Sequence, residues 1–388
     1  LNALKMLVVP LLVSAILSGL VNAGQGMAVG RMGIITAAFY VGSGLLAIMA
    51  GLLMVNLLEP GIINGVAASK VLGLSADTTS TLASIADKNG SDLIAVLMRL
   101  VPSNPIAAAS AGDTLGLVTF CLLLGWALRQ LPVNQRETHG HFWQGLYQAM
   151  ATLTGLIMRL APLGVFAIVT NTVAKTGLAA LQPLALFMLV VLLGLLFHAL
   201  ITLPLILRTI ARVPAFGLHK AMTPALLTAF STSSSAATLP VTMDCIENRA
   251  KVPRRVSGFV LPIGANINTD GTALYECAAA LFIAQAYGLE LTLGVQFTVV
   301  VLALITSIGV AGIPSASLVA ISVILGAVGL PLEGIGLILV VDRVLDMCRT
   351  TVNVLGDSAA TVVVARLTGE DNVLGRVALP SSLQTVSS

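Results

Sequence analysis

Charge is what this sequence has least of. Only 10% of its 388 residues are Asp, Glu, Lys or Arg, where a soluble domain carries about 25%. That scarcity excludes an ordinary water-soluble enzyme. Basic residues number 20 against 17 acidic, so the net charge of +3 is a small difference and gives no basis for a nucleic-acid partner. Cysteine is equally sparse: Cys121, Cys245, Cys277 and Cys348 show no CxxC pairing and no neighbouring histidine, which excludes zinc and dithiol chemistry and leaves small apolar fillers. The four histidines are scattered without a ligand spacing, and no cofactor is expected.

What is abundant is apolar sequence. Hydrophobic residues make up 57% of the chain and the mean hydropathy is +0.99. Stretches approaching the roughly 20 residues of a spanning helix recur near 2–23, 33–58, 114–132, 145–171, 180–207, 256–287 and 335–366. The expectation is an all-α, multi-pass protein of the lipid bilayer, in the plasma membrane or, in a bacterium, the cell inner membrane. The first stretch opens at LNALKMLVVPLL without a basic leader, a cleavage site or a starting Met, so it reads as a true span before which an earlier helix is missing. Arg208, Arg212, Lys220, Arg249, Lys251, Arg254 and Arg255 crowd the connections around 208–255, whereas those around 286–296 and 329–335 carry only Glu290 and Glu333. The positive-inside bias places the first group in the cytoplasm and the second outside.

Two apolar segments are broken at their centres: about 213–248 around STSSSAATLP, and about 296–331 around SIGVAGIPSAS. Arms of about 15 residues are too short to cross a hydrocarbon core of roughly 30 Å. Both therefore read as re-entrant helical hairpins, the first entering from the cytoplasm and the second from outside, with tips meeting near the midplane. Broken backbone at that depth is tolerated only against protein or a ligand cavity. Each hairpin precedes a long segment, about 254–288 and 335–366, in which Asn266 and Asp270, and again Asn353 and Asp357, stand four residues apart. The pairing suggests inverted repeats with unwound transmembrane helices.

The last of these segments contains VDRVLDMCRTTVNVLGDSAATVVV, residues 341–364. At 100° per residue Asp342, Asp346, Arg349, Asn353 and Asp357 fall within an arc of about 80°. Charges at a bilayer centre cost about 3 kcal/mol each, so that face looks into protein or a cavity. It is either a self-neutralising ladder of ion pairs between helices or a site that handles charge. On the second reading Arg349 offers a planar fork for a carboxylate, Asp346 pairs an ammonium and Asn353 holds a second carboxylate, which together describe an acidic amino acid. Asp357, beside Gly356, suits a small hard cation. In PIGANINTDGT, residues 262–272, the residues Asn266, Asn268 and Asp270 alternate at a spacing no single helix face collects, and Pro262, Gly264 and Gly271 weaken the helix. The chain is expected to unwind there and to offer carbonyls, Asn268 and Asp270 to cations. Ser233, Ser234 and Ser235 sit at the first hairpin tip, where helix N-terminal amides favour an anion. Gly309, Gly312 and Pro314 allow the second tip to act as a gate.

These motifs together, TSSSAATLP, NTDGTALYE, AGIP and DMCRTTVNVLGD, resemble those of the glutamate transporter family of excitatory amino-acid transporters and prokaryotic aspartate or dicarboxylate symporters. The resemblance spans nearly the whole chain from the family's second helix onward. It implies a homotrimer in which a transport domain slides through a scaffold as an elevator. Residues 1–30 and 61–177 would be scaffold, 31–60 and 178–370 transport domain, and 371–388 a cytoplasmic tail. It also implies that Arg349 binds the side-chain carboxylate, Asp346 the amino group and Asn353 the main-chain carboxylate, with Thr272, Thr350, Ser234, Ser235, Gly312, Ser317 and the Ile313 carbonyl completing the shell. Sodium, the coupling ion, would be held by Asp357, Asn353 and Gly264; by Asp270, Asn268, Tyr40 and Ser43; and by carbonyls near Thr269, Ser307 and Val310.

Within that family, neutral amino-acid members lack the arginine matched by Arg349, dicarboxylate members lack the aspartate matched by Asp346, and proton-coupled bacterial members commonly carry asparagine at the Asp357 position. Sodium-coupled symport of aspartate or glutamate is therefore expected, with a proton-coupled symporter of dicarboxylates or acidic amino acids, or a passive anion channel, as alternatives. No enzyme is expected, since neither His198 nor His219 stands in a triad-like motif. The chain departs from the family at Thr269, where methionine is usual; at Ser233 and Met347, neither of which supplies the family's extra arginine, a charge Arg343 could replace; and at Ser317, where glycine is frequent.

Overall fold

The computed structural model describes residues 29–63, 65–68, 102–111, 114–176, 181–214, 216–309 and 317–374, with isolated positions between 9 and 21. The architecture is helical, as the periodicity requires. In chain order come α1 (Val29–Leu58), a two-residue antiparallel pair β1 (Ile62–Ile63) and β2 (Val66–Ala67), then α2 (Pro105–Ala111), α3 (Thr114–Arg129) and α4 (Val133–Thr176). α5 (Leu181–Phe197) continues through a π turn (His198–Thr202), α6 (Leu203–Ile206) and a second π turn (Leu207–Ala211). Then follow α7 (Gly217–Thr232), α8 (Ser235–Asp244), a π turn (Cys245–Arg249), α9 (Arg254–Ile267), α10 (Asp270–Ala286), α11 (Leu293–Gly309), α12 (Ser317–Val328) and α13 (Ile335–Leu367). The β pair corrects the all-α expectation by four residues: Gly65, at φ +78°, supplies the left-handed conformation that lets the chain reverse there.

Among the described residues two helices, Arg31–Leu58 and Gln182–Ala211, are long and apolar enough by composition to cross a membrane. The stretch expected at 256–287 is divided into α9 and α10, and α13 carries its stripe of charge, so neither has the plain apolar length of a lone span. The stretch at 2–23 lies largely outside the described residues.

The two centrally broken segments take the form of helix pairs. α7 and α8 meet at Ser233–Ser234, where Ser233 is left-handed at φ 51° and Ser234 is the extended N-cap of α8, its hydroxyl accepting from the Ala237 amide. Serine suits the second position because its short hydroxyl satisfies one of the first amides of α8. α11 and α12 flank residues 310–316, which lie outside the described residues.

The stretch expected to unwind, 262–272, does so at its centre, and the last segment is the helix its polar arc requires. The backbone leaves the helix at Asn268 (φ −95°, ψ 110°) and Thr269 (φ −135°, ψ 60°) and re-enters at Asp270. α13 runs unbroken for 33 residues through Asn353–Asp357. α13 has no proline, and its interior Gly356 costs only about 1 kcal/mol; α9 runs through Pro262 and ends at Asn268, whose side chain turns to Asp357 as the backbone leaves the helix.

α10 is the axis of the core. All its residues from Asp270 to Ala286 are buried except Gln285, and it packs against α1, α11, α12 and α13. A helix apolar all round is one surrounded on every side. A second apolar cluster joins α7, the π turns, α9 and the C-terminal half of α13, so the broken joint at 268–269 lies between two packed bodies of side chains.

Candidate functional site

Three consecutive residues of the joint reach three directions. Asn268 donates from Nδ2 to Asp357 Oδ1 on α13 at 3.0 Å. The Thr269 hydroxyl donates to the Ser307 carbonyl at 2.8 Å, which satisfies one of the carbonyls left open at the end of α11. Asp270 Oδ2 accepts from Ser43 Oγ of α1 at 2.5 Å and lies 3.2 Å from His198 Nε2. Tyr40, one turn before Ser43, donates to the Val260 carbonyl at 3.0 Å. Asn268, Asp270, Asp357, Ser43 and Tyr40 are all buried.

Asp270 Oδ1 is buried and has no hydrogen-bond partner. Burying a carboxylate oxygen without a partner is costly, and the remedy suited to this donor set is a cation: carboxylates, hydroxyls, amide and backbone carbonyls are hard oxygen ligands. Among the described residues no trio of His, Cys, Asp and Glu is gathered in the manner of a transition-metal centre. Glycine makes the cradle. A Cβ on Gly264 would stand 2.6 Å from both Asp357 Oδ1 and the Tyr40 hydroxyl, and one on Gly356 would stand 2.6 Å from Asp270 Oδ2. A cavity of about 290 Å³ adjoins the joint, lined by Tyr40, Asn268, Asp270 and Ser307 with the apolar Phe259 and Ile263. Gly264→Ala is therefore expected to fill the cradle and weaken its hold on a small cation about tenfold or more, while thermal unfolding shifts by only a few degrees. A cation-binding titration measures the first, and a melting curve the second.

About two to four turns from Asp357 toward the N-terminus of α13 is a second polar centre. Arg349, 1% exposed, donates from Nη1 to Asp342 Oδ1 at 3.0 Å and from Nη2 to Asp346 Oδ1 at 2.8 Å. Its guanidinium lies 4.2 Å from the centre of the Tyr275 ring, and the Tyr275 hydroxyl donates to Asp342 Oδ1 at 3.0 Å. Stacking and a two-pronged fork suit arginine and not lysine. The alternative of a ladder between helices takes a different form, because Asp342, Asp346 and Arg349 all belong to α13. Arg343, largely exposed, reaches Asp346 at 3.7 Å and does not enter the buried cluster.

Asn353 links the two centres. Its Oδ1 accepts from the Gly271 amide at 2.8 Å and the Thr272 amide at 3.3 Å, and its Nδ2 donates to Thr272 Oγ1 at 3.1 Å. It thereby caps the first turn of α10 from across the helix interface, a role the sequence alone did not suggest.

Of the other expected residues, Thr350 and Ser235 are buried and Ser234 is half-buried. Ser317 is buried with its hydroxyl unpartnered, as is Ser233. Val310, Gly312 and Ile313 lie outside the described residues. The stripe on α13 had included Asp342 without a role, and here it is the second arm that holds Arg349. Three further residues escaped the sequence reading. Tyr275 orients Arg349; Glu276 is fully buried, with Oε2 taking the Thr306 hydroxyl at 2.7 Å and Oε1 unpartnered; and His198 meets Asp270. The available signal was the same for Glu276 and His198, an ionisable residue inside an otherwise apolar run.

Comparison with known proteins places this architecture. The model of the sodium:dicarboxylate symporter family matches residues 1–367. The proton/glutamate-aspartate symporter of Escherichia coli (strain K12) is 34% identical over 365 residues, covering 94% of this chain and 83% of that protein. The proton/sodium-glutamate symport protein of Bacillus subtilis (strain 168) is 33% identical over 389 residues, covering 100% and 87%. Excitatory amino acid transporter 3 of Oryctolagus cuniculus is 34% identical over 410 residues, covering 95% and 78%. With a family model spanning nearly all of the sequence and relatives aligned over most of their own lengths, the chain belongs to the sodium:dicarboxylate symporter family.

Proposed function

We propose that this protein is a secondary active transporter that carries L-aspartate or L-glutamate together with sodium. The observation that carries the reading is the buried Asp342–Arg349–Asp346 cluster, standing on the same helix as a carboxylate of the cation cradle. Without a guest, Arg349 and Asp346 neutralise each other. A zwitterion with an extra carboxylate replaces both partners at once: its side-chain carboxylate takes the fork of Arg349 and its ammonium takes Asp346, so each buried charge exchanges one partner for another and none is stranded. Asp342 and Tyr275 keep one side of the guanidinium fixed during the exchange. Asn353, Thr272, Thr350, Ser234, Ser235 and Ser317 would complete the shell, with Gly312 and the Ile313 carbonyl from the second tip.

Sodium ligation would use Asp357, Asn353 and Gly264; Asp270, Asn268, Tyr40 and Ser43; and carbonyls near Thr269, Ser307 and Val310. The coupling follows from placement. Asn268 and Asp270 belong to the joint, Asn353 holds the first turn beyond it, and Arg349 is one turn from Asn353, so a cation that orders the joint also orders the amino-acid site. A proton in place of sodium is the second reading, prompted by the name of the Escherichia coli relative; the oxygen cradle with its unpartnered Asp270 Oδ1 favours sodium.

The helix pairs α7–α8 and α11–α12 would be re-entrant hairpins of a multi-pass plasma-membrane protein, with the basic end in the cytoplasm. Residues 31–60 and 178–370 would move as the transport domain of an elevator within a trimeric scaffold. The purified protein in liposomes is expected to accumulate labelled aspartate against its gradient when sodium is imposed inward. Accumulation driven by an inward proton gradient alone would establish the proton reading instead. Flux that only dissipates the aspartate gradient, whatever the ion, would overturn active transport in favour of a channel.

A further inference from the structure

One end of the molecule gathers basic side chains that the transport chemistry does not use. Arg249, Lys251, Arg254 and Arg255 fall within seven residues between the π turn that follows α8 and the first turn of α9, and all four are exposed. Lys251 holds a left-handed φ of 62°, which turns the chain sharply between the first and second pairs. The acids nearby on the same connection are engaged: Glu247 takes the Ser257 hydroxyl at 2.7 Å and Asp244 takes the Asn248 amide at 2.7 Å. Phe216, exposed and close to the start of α7, stands at the same end, where an aromatic ring suits the boundary between headgroups and acyl chains.

The segment after α13 is laid across this end. The Leu374 amide donates to the Ala250 carbonyl at 3.1 Å, and Val373 is fully buried. Arg366 donates to the Ala211 carbonyl at 3.1 Å and the Glu370 carbonyl at 2.8 Å, and Arg31 donates to the Leu367 carbonyl at 3.2 Å. This strap brings two carboxylates to the rim: Asp371 faces Arg366 at 3.3 Å, and Glu370 Oε1 accepts from Arg255 Nε at 2.8 Å and also from Arg255 Nη2. A single oxygen facing both donors of the guanidinium occupies the position that a phosphate oxygen would take.

We propose that Arg249, Lys251, Arg254 and Arg255 form a docking surface for the phosphate headgroups of an anionic bilayer leaflet, with Glu370 as a built-in competitor for Arg255. Magnitudes decide which partner wins. The Arg255 side chain is 70% exposed, and an exposed ion pair is worth between nothing and about fivefold in an equilibrium. Each basic residue near an anionic leaflet gains about fivefold, so four of them outweigh the one internal pair. In an anionic membrane Arg255 turns to the lipid; in a neutral one it returns to Glu370. The inference requires that this end lie at a membrane surface but is independent of which solute or ion is carried.

The test uses the full-length purified protein equilibrated with vesicles of equal phosphatidylglycerol and phosphatidylcholine, with retained lipid quantified by mass spectrometry. The expected result is enrichment of phosphatidylglycerol in the wild type, parity in Arg249→Gln/Lys251→Gln/Arg254→Gln/Arg255→Gln, and a rise in enrichment of about twofold to fivefold in Glu370→Gln. Arg254→Gln/Arg255→Gln serves where the fourfold variant does not purify and is expected to lose most of the enrichment. Enrichment that survives these substitutions overturns the surface, and an unchanged Glu370→Gln overturns the competitor. Displacement of phosphatidylglycerol by millimolar inorganic phosphate would show a soluble-anion site and overturn the lipid assignment. Sodium-dependent aspartate binding, measured on the same variants, is expected to stay at the wild-type level, which separates failure of this surface from failure of the transport reading.

Discussion

Arg349→Cys is expected to abolish uptake of acidic amino acids, with a loss of at least a hundredfold in aspartate affinity. Removing one member of a buried, hydrogen-bonded charge pair costs about 2–5 kcal/mol of binding or more, and Arg349 provides the buried guanidinium of the cluster. The structure adds a complication. Arg349 pairs with both Asp342 and Asp346, so its removal leaves two buried carboxylates with only the exposed Arg343 beside Asp346, and breaking such a buried pair destabilises a fold by about 3–5 kcal/mol. Lost uptake alone would therefore be ambiguous. Arg349→Lys resolves it, because lysine keeps the charge but not the two-pronged fork or the stacking on Tyr275. That variant is expected to remain folded and to lose about tenfold or more in aspartate affinity. Pairing Asp342→Asn with Arg349→Cys restores the net charge of the cluster and is expected to recover the folded protein and admit neutral amino acids. Wild-type aspartate affinity in Arg349→Lys, measured by calorimetry in sodium, would refute the grip.

The parts of this site that were legible in the sequence are those governed by a cost that cannot be evaded locally. Five polar residues within one arc of an apolar helix had to share a buried environment, and Asp342, Asp346, Arg349, Asn353 and Asp357 do. The unwinding near Asn268 was legible because Pro262 and the flanking glycines weaken any helix that contains them. What was not legible depends on which helix lies opposite. Nothing local to Asn353 indicates that it caps α10, since the amides it satisfies are about 80 residues away. His198 is similar: it gains meaning only when the π turn at 198–202 places it against Asp270, 72 residues further on. The continuity of α13 was legible from its polar arc, because a spacing of four residues is what an intact helix uses to place two side chains on one face, and Asn353 and Asp357 stand on one unbroken helix.

Substituting the cradle carboxylates should divide the ion role from the amino-acid role. Asp270→Asn retains the volume of the side chain but loses a formal charge at the atom that has no partner, Oδ1. Asp357→Asn retains a group that faces Asn268 while losing the negative charge beside Gly264. Both variants leave Arg349, Asp346 and Asp342 untouched, so a residual aspartate site should persist. The expected result for Asp270→Asn is a rise of tenfold or more in the sodium concentration for half-maximal aspartate binding, with near-normal binding recovered at molar sodium. The steepness of that sodium dependence should fall, because one cation's contribution to the linkage is removed. For Asp357→Asn the same titration should show weaker sodium dependence, since a neutral amide no longer supplies a negative ligand at that position. A hydrogen-bonded structural role makes a different forecast: both variants would melt at lower temperature yet keep the wild-type sodium dependence. Because binding linkage and thermal stability are read independently on the same preparation, an unaltered sodium titration in Asp270→Asn would remove the joint from the cation pathway and leave Asp270 as a partner of Ser43 and His198 alone.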